Sequence, residues 1–568
     1  MKEEIQKFFK GEADDTEETL LKYSHDASLL EVRPKIVLFP KDSEDVKNLV
    51  KWVAENKNNT EKYGELSITS RCAGTDMSGA AIGDSIILDF SRYMKNFIAL
   101  GADSLSVQPG VFYRDFEKVT LEKGLILPCY TASKSLNAMG GMYGNNSAGE
   151  RTLKYGKTED YVLSAKVVFS DGNEYDVRPV SKNTLDAKMA QGDFEGNIYK
   201  NIFDLINKNA DEIKQAKPNV HKNSAGYYIW NVVDEKQGEE YFDLNKLLVG
   251  SQGTLGIATE ITFKLIQDNK HSKLVAIFMN DLEPLGRLVA EILELNPETL
   301  EAYDDKTMKL AVRFFPDFLK TKGFLGMIKL MWSFLPEFFM LVTGGFPKLI
   351  LLAEFAGDGE DAVNKQCMKL EEKIKDFKLK VHITKNQAEA NKYWDIRRES
   401  FALLRKHVAG KRTAPFIDDI VVRPEFLPKF LPELNEILSK YDLTYTIAGH
   451  AGDGNFHIIP LMDFSRPDIA KIIMELSDKV YDLVAKYHGS ITAEHNDGLI
   501  RTPYLNKMYE KDIIKIFAEI KEIFDPKNIF NPGKKVPARY SGGQSAQAGT
   551  KEYIATHIAV EHKAVHGV

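Results

Sequence analysis

Short apolar runs and amphipathic stretches alternate along this chain, and the two periods mark its elements. Ile36-Val37-Leu38-Phe39, Leu66 to Thr69, Ser85 to Phe90, Leu105 to Gln108, Tyr161 to Phe169 and Ile257 to Leu265 carry the apolar and β-branched runs of strands. Ser43 is placed to cap a helix running to about Glu55, with Glu44 and Asp45 in the first turn, where the helix dipole favours negative charge. Glycine-rich connections fall at 71–79, 137–149 and 250–256. Beyond about Lys270 the pattern changes. Strands (Leu274 to Met279, Leu349 to Phe355, Lys380 to Thr384) then alternate with amphipathic helices (Glu283 to Leu295, Asp361 to Phe377). Residues 504–535 read as helical. The chain is therefore expected to be α+β. Its expected parts are a helical segment over 1–31, a first domain over 32–268, a second over 269–490 with an apolar insertion at 308–350, a closing segment over 491–535 and a flexible tail over 536–568.

One hairpin carries chemistry. Thr444 to His450 and Asn455 to Met462 flank Asp453-Gly454, a strong signal for a two-residue turn. With that turn His450 would lie directly opposite His457, roughly 4.5–5.5 Å apart at Cβ, close enough for both imidazoles to reach one divalent ion. Glu494 adds a hard oxygen ligand, and a His/His/Glu set leaves a position open for substrate or water. His495, next in sequence, is placed to act on that substrate. No H-E-x-x-H occurs on a helix, so a conventional metalloprotease is not indicated.

Composition narrows the rest. Two or more domains fit 568 residues, and a net charge of −7 without basic clusters leaves no nucleic-acid footprint. The cysteines (Cys72, Cys129, Cys367) are three and far apart, too few for an internal iron–sulfur cluster and in keeping with a reducing cytoplasm. The charged N-terminus lacks the apolar core of a secretory signal. Neither a Walker loop nor a G-x-G-x-x-G after the first strand is present. Three separate loops rich in Gly, Ser, Thr and Asn instead suggest backbone N–H nests around one large nucleotide.

Over roughly residues 21–535 the chain resembles a known family. The matching segments are Arg33-Pro34, Val37 to Pro40, Arg71 to Gly79, Gly140-Gly141, Asn146 to Gly149, Lys154-Tyr155-Gly156, Lys222 to Tyr227, Leu248 to Thr259, His450 to His457, Glu494-His495 and Phe530 to Lys534. In order and spacing they resemble the FAD-dependent 2-hydroxy-acid dehydrogenases of the vanillyl-alcohol-oxidase (PCMH) type. That group includes cytochrome-type D-lactate dehydrogenase, D-2-hydroxyglutarate dehydrogenase and the glycolate oxidase FAD subunit. The resemblance implies a PCMH-type FAD-binding domain of two subdomains, a ferredoxin-like antiparallel-sheet cap and a C-terminal segment returning to the flavin. It assigns the cofactor to Arg71, Ala73, Gly74, Thr75, Asp76, Ser78, Gly79, Pro128, Gly140, Gly141, Gly144, Ser147, Gly149, Ile257 and Asn531. It makes His450, His457 and Glu494 ligands of one divalent metal (Zn or Mn), His495 the base, and Arg397, with Asn455, the substrate contacts. Arg397 equally suits an exposed helix charge, and Asn531 a plain Asn-Pro-Gly turn.

Some positions depart from the family pattern. Cys72-Ala73-Gly74 replaces three glycines, and Asn496 follows Glu494-His495 where glycine is usual. Thr75-Asp76 offers no His or Cys for a covalent link, so FAD is expected to be dissociable. The lysine that often assists Arg397 is not evident; Lys411 and Arg412 align poorly. Oxidation of a D-2-hydroxy acid, D-lactate foremost, is the implied activity, with quinone, a cytochrome, an electron-transfer flavoprotein or a separate iron–sulfur subunit as acceptor. A metal hydrolase and a non-catalytic flavin-binding subunit are the competing classes. Residues 308–350 hold eight phenylalanines, Trp332 and several lysines. They suit contact with the inner face of a membrane, a homodimer interface or a buried helix pair, but not a spanning helix.

Overall fold

A computed structural model describes residues 1–236, 239–313, 346–407, 410–536 and 550–559. A four-stranded sheet opens the chain, in the order Glu12–Asp14, Ile36–Phe39, Ile86–Asp89, Ile68–Arg71. The last three are parallel and almost wholly buried; Ile36–Phe39 and Ile86–Leu88 are unbroken apolar runs, as burial on both faces requires, whereas Ile68–Arg71 carries Thr69, Ser70 and Arg71. Helix Ser43–Asn56 covers this sheet with Val46, Leu49, Val50 and Val53, spaced to share one face. Its cap is Asp42 and not Ser43. Asp42 has extended backbone, and its carboxylate accepts from the Asp45 N–H at 3.1 Å, so Ser43 becomes the first helical residue.

The second layer of the first domain is a five-stranded antiparallel sheet in the order Phe97–Leu100, Ser104–Val107, Ile257–Lys264, Val162–Val168, Glu174–Val177. Ile257–Lys264 alternates strictly between buried and more exposed positions, the pattern of a sheet with one dry face. The third unit is a seven-stranded antiparallel sheet ordered Lys380–Ile383, His271–Met279, Leu349–Gly357, Thr299–Asp304, Ile447–His450, Asn455–Ile458, Ile420–Val421. Helices Leu285–Leu293 and Glu360–Lys373 turn apolar faces inward. This is an α+β architecture of a two-layered first unit followed by an antiparallel-sheet unit flanked by helices, in keeping with the expectation that the resemblance raised.

The hairpin register differs from the expected one. His450 opposes Asn455, and His457 opposes Ala448, because the loop spans Ala451–Gly454. Asp453 N–H bonds back to the His450 carbonyl at 3.0 Å. Gly454 sits at φ +71, where a Cβ would lie 1.8 Å from the Val422 carbonyl oxygen. The shift is two residues, an even number, so both histidines stay on one face as diagonal neighbours. Their ring centroids are 5.3 Å apart.

In residues 504–535 the helix Lys511–Phe524 stops at Phe524-Asp525-Pro526, a break the sequence marks, but a 3-10 stretch Thr502–Lys507 precedes it and turns follow it. The end of that segment returns to the first sheet, where Ile68 N–H bonds to the Ile529 carbonyl at 2.7 Å and Asn531 N–H to the Ile68 carbonyl at 2.9 Å. The tail, expected to be flexible, docks over residues 550–559. Helix Lys551–Thr556 buries Ile554, Ile558 bridges Leu30, and Lys551 pairs with Asp478 at 2.7 Å. Most of the apolar insertion (314–345) lies outside the described residues, among which no helix is long and apolar enough to cross a membrane.

Candidate functional site

The cap sheet supplies one wall. Ile447–His450 and Asn455–Ile458 carry His450 and His457, and the neighbouring strand Thr299–Asp304 carries Glu301. The loop 490–497 supplies the other wall with Glu494 and His495. Glu494 Oε1 lies 3.2 Å from His450 Nε2 and 3.3 Å from His457 Nε2. Each imidazole is oriented from behind. His450 Nδ1 meets Glu301 at 2.6 Å, His457 Nδ1 meets Asp418 Oδ1 at 3.2 Å, and His495 Nδ1 meets Asp418 Oδ2 at 2.8 Å. A carboxylate hydrogen-bonded behind the His450 and His457 rings orients them and turns Nε2 inward, as metal-binding histidines require, and His495 has a charged neighbour in Asp418. His495 stacks on His457 at 5.1 Å.

Asp419 holds the loop in shape. One carboxylate oxygen accepts the N–H groups of Ala493, Glu494 and His495 (2.9, 2.9 and 2.7 Å) and the Thr492 hydroxyl at 2.7 Å. Asp419 pays with a left-handed backbone, φ +68, a strained conformation for this residue. Asn496 is also left-handed at φ +67, which explains how it substitutes for glycine. Its side-chain N–H groups bond to the carbonyls of Asn145 at 3.2 Å and Gly250 at 2.9 Å. The histidine cluster is thereby tied to two of the three glycine loops, beside a cleft lined by Asn146, Asn223, Gly250 and Asn496.

Charge in the cluster is unbalanced. Five buried carboxylates (Glu301, Asp418, Asp419, Asp453, Glu494) face the permanent cations Lys222, Arg397 and Arg501. Burial opposes charge on His457, but Asp418 and Glu494 outweigh it and push the imidazole up to about 10. His450 and His495 are raised in the same way, against burial, by Glu301 and by Asp419 with Asp418. Glu494 is held well below the usual carboxylate range: burial works against this, and Lys222 and His450 overcome it. Such a site draws positive charge, and its donor set of two Nε2 atoms and a carboxylate oxygen suits a divalent cation. Asp419, His457, Glu494 and His495 form a second grouping, with ligand atoms within 4.8 Å of one another.

Arg397, on helix Gln387–His407, is gathered into the cluster. Its Nε lies 2.5 Å from Glu301 Oε2, and its side chain is 9% exposed, which excludes the exposed-charge alternative. Asn455 is fully buried. Both its amide hydrogens are spent on Asp419 Oδ1 and the Ile420 carbonyl (3.1 Å each), so it braces Asp419, while its Oδ1 is buried without a hydrogen-bond partner.

The glycine loops fit a dinucleotide. Gly74 and Gly79 have positive φ, and Gly141 is exposed with open space where a Cβ would point. Ser70 Oγ is buried without a hydrogen-bond partner, 3.4 Å from where a Cβ on Gly253 would stand. Ala73 and Thr75 are half-buried at the loop surface, as are Gly140 and Gly144 on the second loop. Other expected contacts are spent internally. Asp76 accepts from Ser78 and Ala80 N–H (2.9 and 2.8 Å), and Ser78 Oγ accepts from Gln252 at 3.2 Å. Arg71 donates to the Ala81 carbonyl at 3.1 Å and packs under Gly74. Gly149 presses on the Tyr130 carbonyl; Pro128, Ser147 and Ile257 are buried. Asn531 is fully buried with all its side-chain groups committed: it donates to the Ala80 and Gln252 carbonyls (3.0 and 2.7 Å) and accepts from Thr69 and Lys534. Its side chain ties three segments together.

Sequence reasoning missed Glu301, Asp418, Asp419 and Lys222. Lys222 is completely buried, 3.0 Å from Asp453 and 3.1 Å from Glu494, and Asp453 also pairs with His221. A usable signal existed: Asp418-Asp419 interrupts the apolar run Phe416 to Val422, and a charge inside a buried strand needs a reason.

Comparison with known proteins agrees with this architecture. Residues 34–178 match the FAD binding domain family and 268–535 the C-terminal domain of FAD linked oxidases. D-2-hydroxyglutarate dehydrogenase of Escherichia coli (strain K12) is 26% identical over 94% of this chain, which spans 51% of that relative's length. Glycolate oxidase subunit GlcD of Bacillus subtilis (strain 168) is 26% identical over 92% of this chain and 93% of its own. D-lactate dehydrogenase of Anaerostipes hadrus is 26% identical over 90% and 92%. Among solved structures, substrate-bound p-cresol methylhydroxylase superposes with a TM-score of 0.64 at 15% identity, covering 92% of this chain and 93% of that one; it shares the fold. Two family matches in series, and relatives along nearly the whole length, lead to one conclusion: the chain belongs to the FAD-linked 2-hydroxy-acid dehydrogenase family.

Proposed function

We propose that this protein oxidises a small D-2-hydroxy acid, D-lactate foremost, to its 2-oxo acid and passes the electrons to a quinone, cytochrome, flavoprotein or iron–sulfur partner. When bound, FAD supplies the two-electron acceptor and a divalent ion at His450, His457 and Glu494 supplies Lewis acidity toward the substrate hydroxyl. Arg397, anchored through Nε by Glu301, offers a guanidinium to the substrate carboxylate. His495 Nδ1 faces Asp418 at 2.8 Å, which leaves Nε2 to take the hydroxyl proton; the carboxylates favour the imidazolium, and a divalent ion held at His450, His457 and Glu494 would disfavour it, leaving the ring neutral and able to accept. Lys222 is already matched to two carboxylates and so is not spare to bind a second substrate carboxylate, which favours a monocarboxylate over a dicarboxylate. D-2-Hydroxyglutarate and glycolate are the alternatives that the relatives' names suggest.

The observation that carries this reading is the pair of hydrogen bonds from Asn496, next to His495, to the glycine loops at Asn145 and Gly250. They hold a proton acceptor against the expected cofactor cleft. The test is anaerobic flavin bleaching across D- and L-2-hydroxy acids. Bleaching by a D-monocarboxylate supports the proposal. A yellow protein bleached by none would make it a non-catalytic flavin subunit, and a colourless protein with hydrolase activity would end the flavin reading.

A further inference from the structure

We propose that Lys222 is a positioning residue that sets which divalent ion the histidine cluster prefers: it reserves one oxygen of Glu494 and so favours zinc over manganese. The inference rests on the reading of His450, His457 and Glu494 as a metal site. The two oxygens of Glu494 have different neighbours. Oε1 faces both imidazoles, 3.2 Å from His450 Nε2 and 3.3 Å from His457 Nε2. Oε2 instead accepts a hydrogen bond from the Lys222 ammonium at 3.1 Å. The same ammonium lies 3.0 Å from Asp453 Oδ2 and donates to the Gly149 carbonyl at 3.4 Å, so three oxygens meet its three N–H groups. Lys222 is fully buried, and nothing in water competes for it. Two residues on, the Ser224 N–H bonds to the Thr492 carbonyl at 3.0 Å and the Ser224 hydroxyl to the Ala493 carbonyl at 2.7 Å. These bonds lay the lysine segment along the loop that carries Glu494 and fix the two side chains against each other.

A carboxylate with one oxygen committed to a buried ammonium has one left for a cation. The cluster then offers two imidazole nitrogens and a single carboxylate oxygen, the three-ligand set with an open fourth position that zinc accepts. Manganese favours oxygen-rich surroundings with more ligands. A second Glu494 oxygen would supply one, and Lys222 withholds it. The charge of the lysine repels both ions alike, so the reserved oxygen is what separates them. A lysine that only balanced the buried carboxylates would steady the fold and leave the preference between ions unchanged.

Equilibrium dialysis of the FAD-loaded protein against buffered Zn²⁺ and Mn²⁺, read by elemental analysis, gives the ratio of the two dissociation constants. In Lys222→Met the preference for zinc should fall by about tenfold, the scale on which the hydrogen-bond partners of metal ligands act. That variant strands two buried carboxylates, so the decisive protein combines Lys222→Met with Asp453→Asn. The pair removes one cation and one anion, keeps the local charge and still frees Oε2. It should show the same fall. A preference in the double variant that is unchanged, or shifted further toward zinc, overturns the proposal, because charge balance alone accounts for that result. A wild-type protein that takes up neither ion overturns it together with the ligand set. Neither ratio depends on turnover: a protein that gives the expected ratios yet is bleached by no hydroxy acid loses the proposed activity and keeps this inference.

Discussion

Glu354→Gln should stabilise this protein at neutral and alkaline pH, an unusual outcome for a change in the middle of a sheet. Glu354 lies on Leu349–Gly357, between strands His271–Met279 and Thr299–Asp304. It is 9% exposed. Burial, then repulsion from Glu150 and Glu298, pushes its carboxyl from about 4.5 to about 7, with Arg151 and Ser272 offsetting only part. A carboxyl raised in the folded state binds its proton more tightly there than in the unfolded chain. Its contribution is present in full below about 4.5 and is lost as pH rises through about 7. The difference of some two and a half pH units corresponds to about 3 kcal/mol. Glutamine keeps the shape and never ionises. Urea midpoints measured for both proteins should nearly coincide at the acid end, where Glu354 is protonated, and separate to about 3 kcal/mol by pH 8 in favour of the variant. A gap that does not widen with pH, or a variant less stable at pH 8, would refute the electrostatic reasoning.

His495→Ala should retain flavin and metal yet lose turnover by about 10²–10⁴-fold, as removal of a general base does. Flavin reduction at the normal rate would disprove its role. His450→Ala should lose the divalent ion by elemental analysis; an unchanged metal content would reject the ligand set. Lys222→Met strands Asp453 and Glu494, both buried, without their cation. The expected cost in the apo protein is about 3–5 kcal/mol by chemical denaturation, and a stability equal to wild type would show that the lysine is not needed to balance them.

Local signals carried most of the fold. Unbroken apolar runs such as Ile36–Phe39 announced buried strands, and alternation in Ile257–Lys264 announced a half-covered one. The site was legible where its residues are close in sequence: His450, His457, Glu494 and His495 lie on one hairpin and one loop. What sequence could not supply were partners brought in by topology. Glu301 reaches His450 from a strand 149 residues away, and Lys222 reaches Glu494 across 272. The register missed by two residues because Asp-Gly suggests a two-residue turn, whereas here Asp453 is drawn off by Lys222 and His221. Asn531 and Asn455 were assigned to ligands by the resemblance alone; the fold adds that Asn531 braces three segments with every polar atom of its side chain and that Asn455 braces Asp419 with its amide hydrogens.

The docked segment at residues 550–559 has a consequence for biogenesis. Ala559 donates to the Leu29 carbonyl, and Glu31 donates to the His557 carbonyl, so residues 29–31 are completed by a stretch that is synthesised long after them. Leu30 in turn packs over Gly79. A nascent chain emerging from the ribosome would thus hold that glycine turn without its cover until residues 550–559 have also emerged and docked, and the flavin would be expected to lodge firmly only after that.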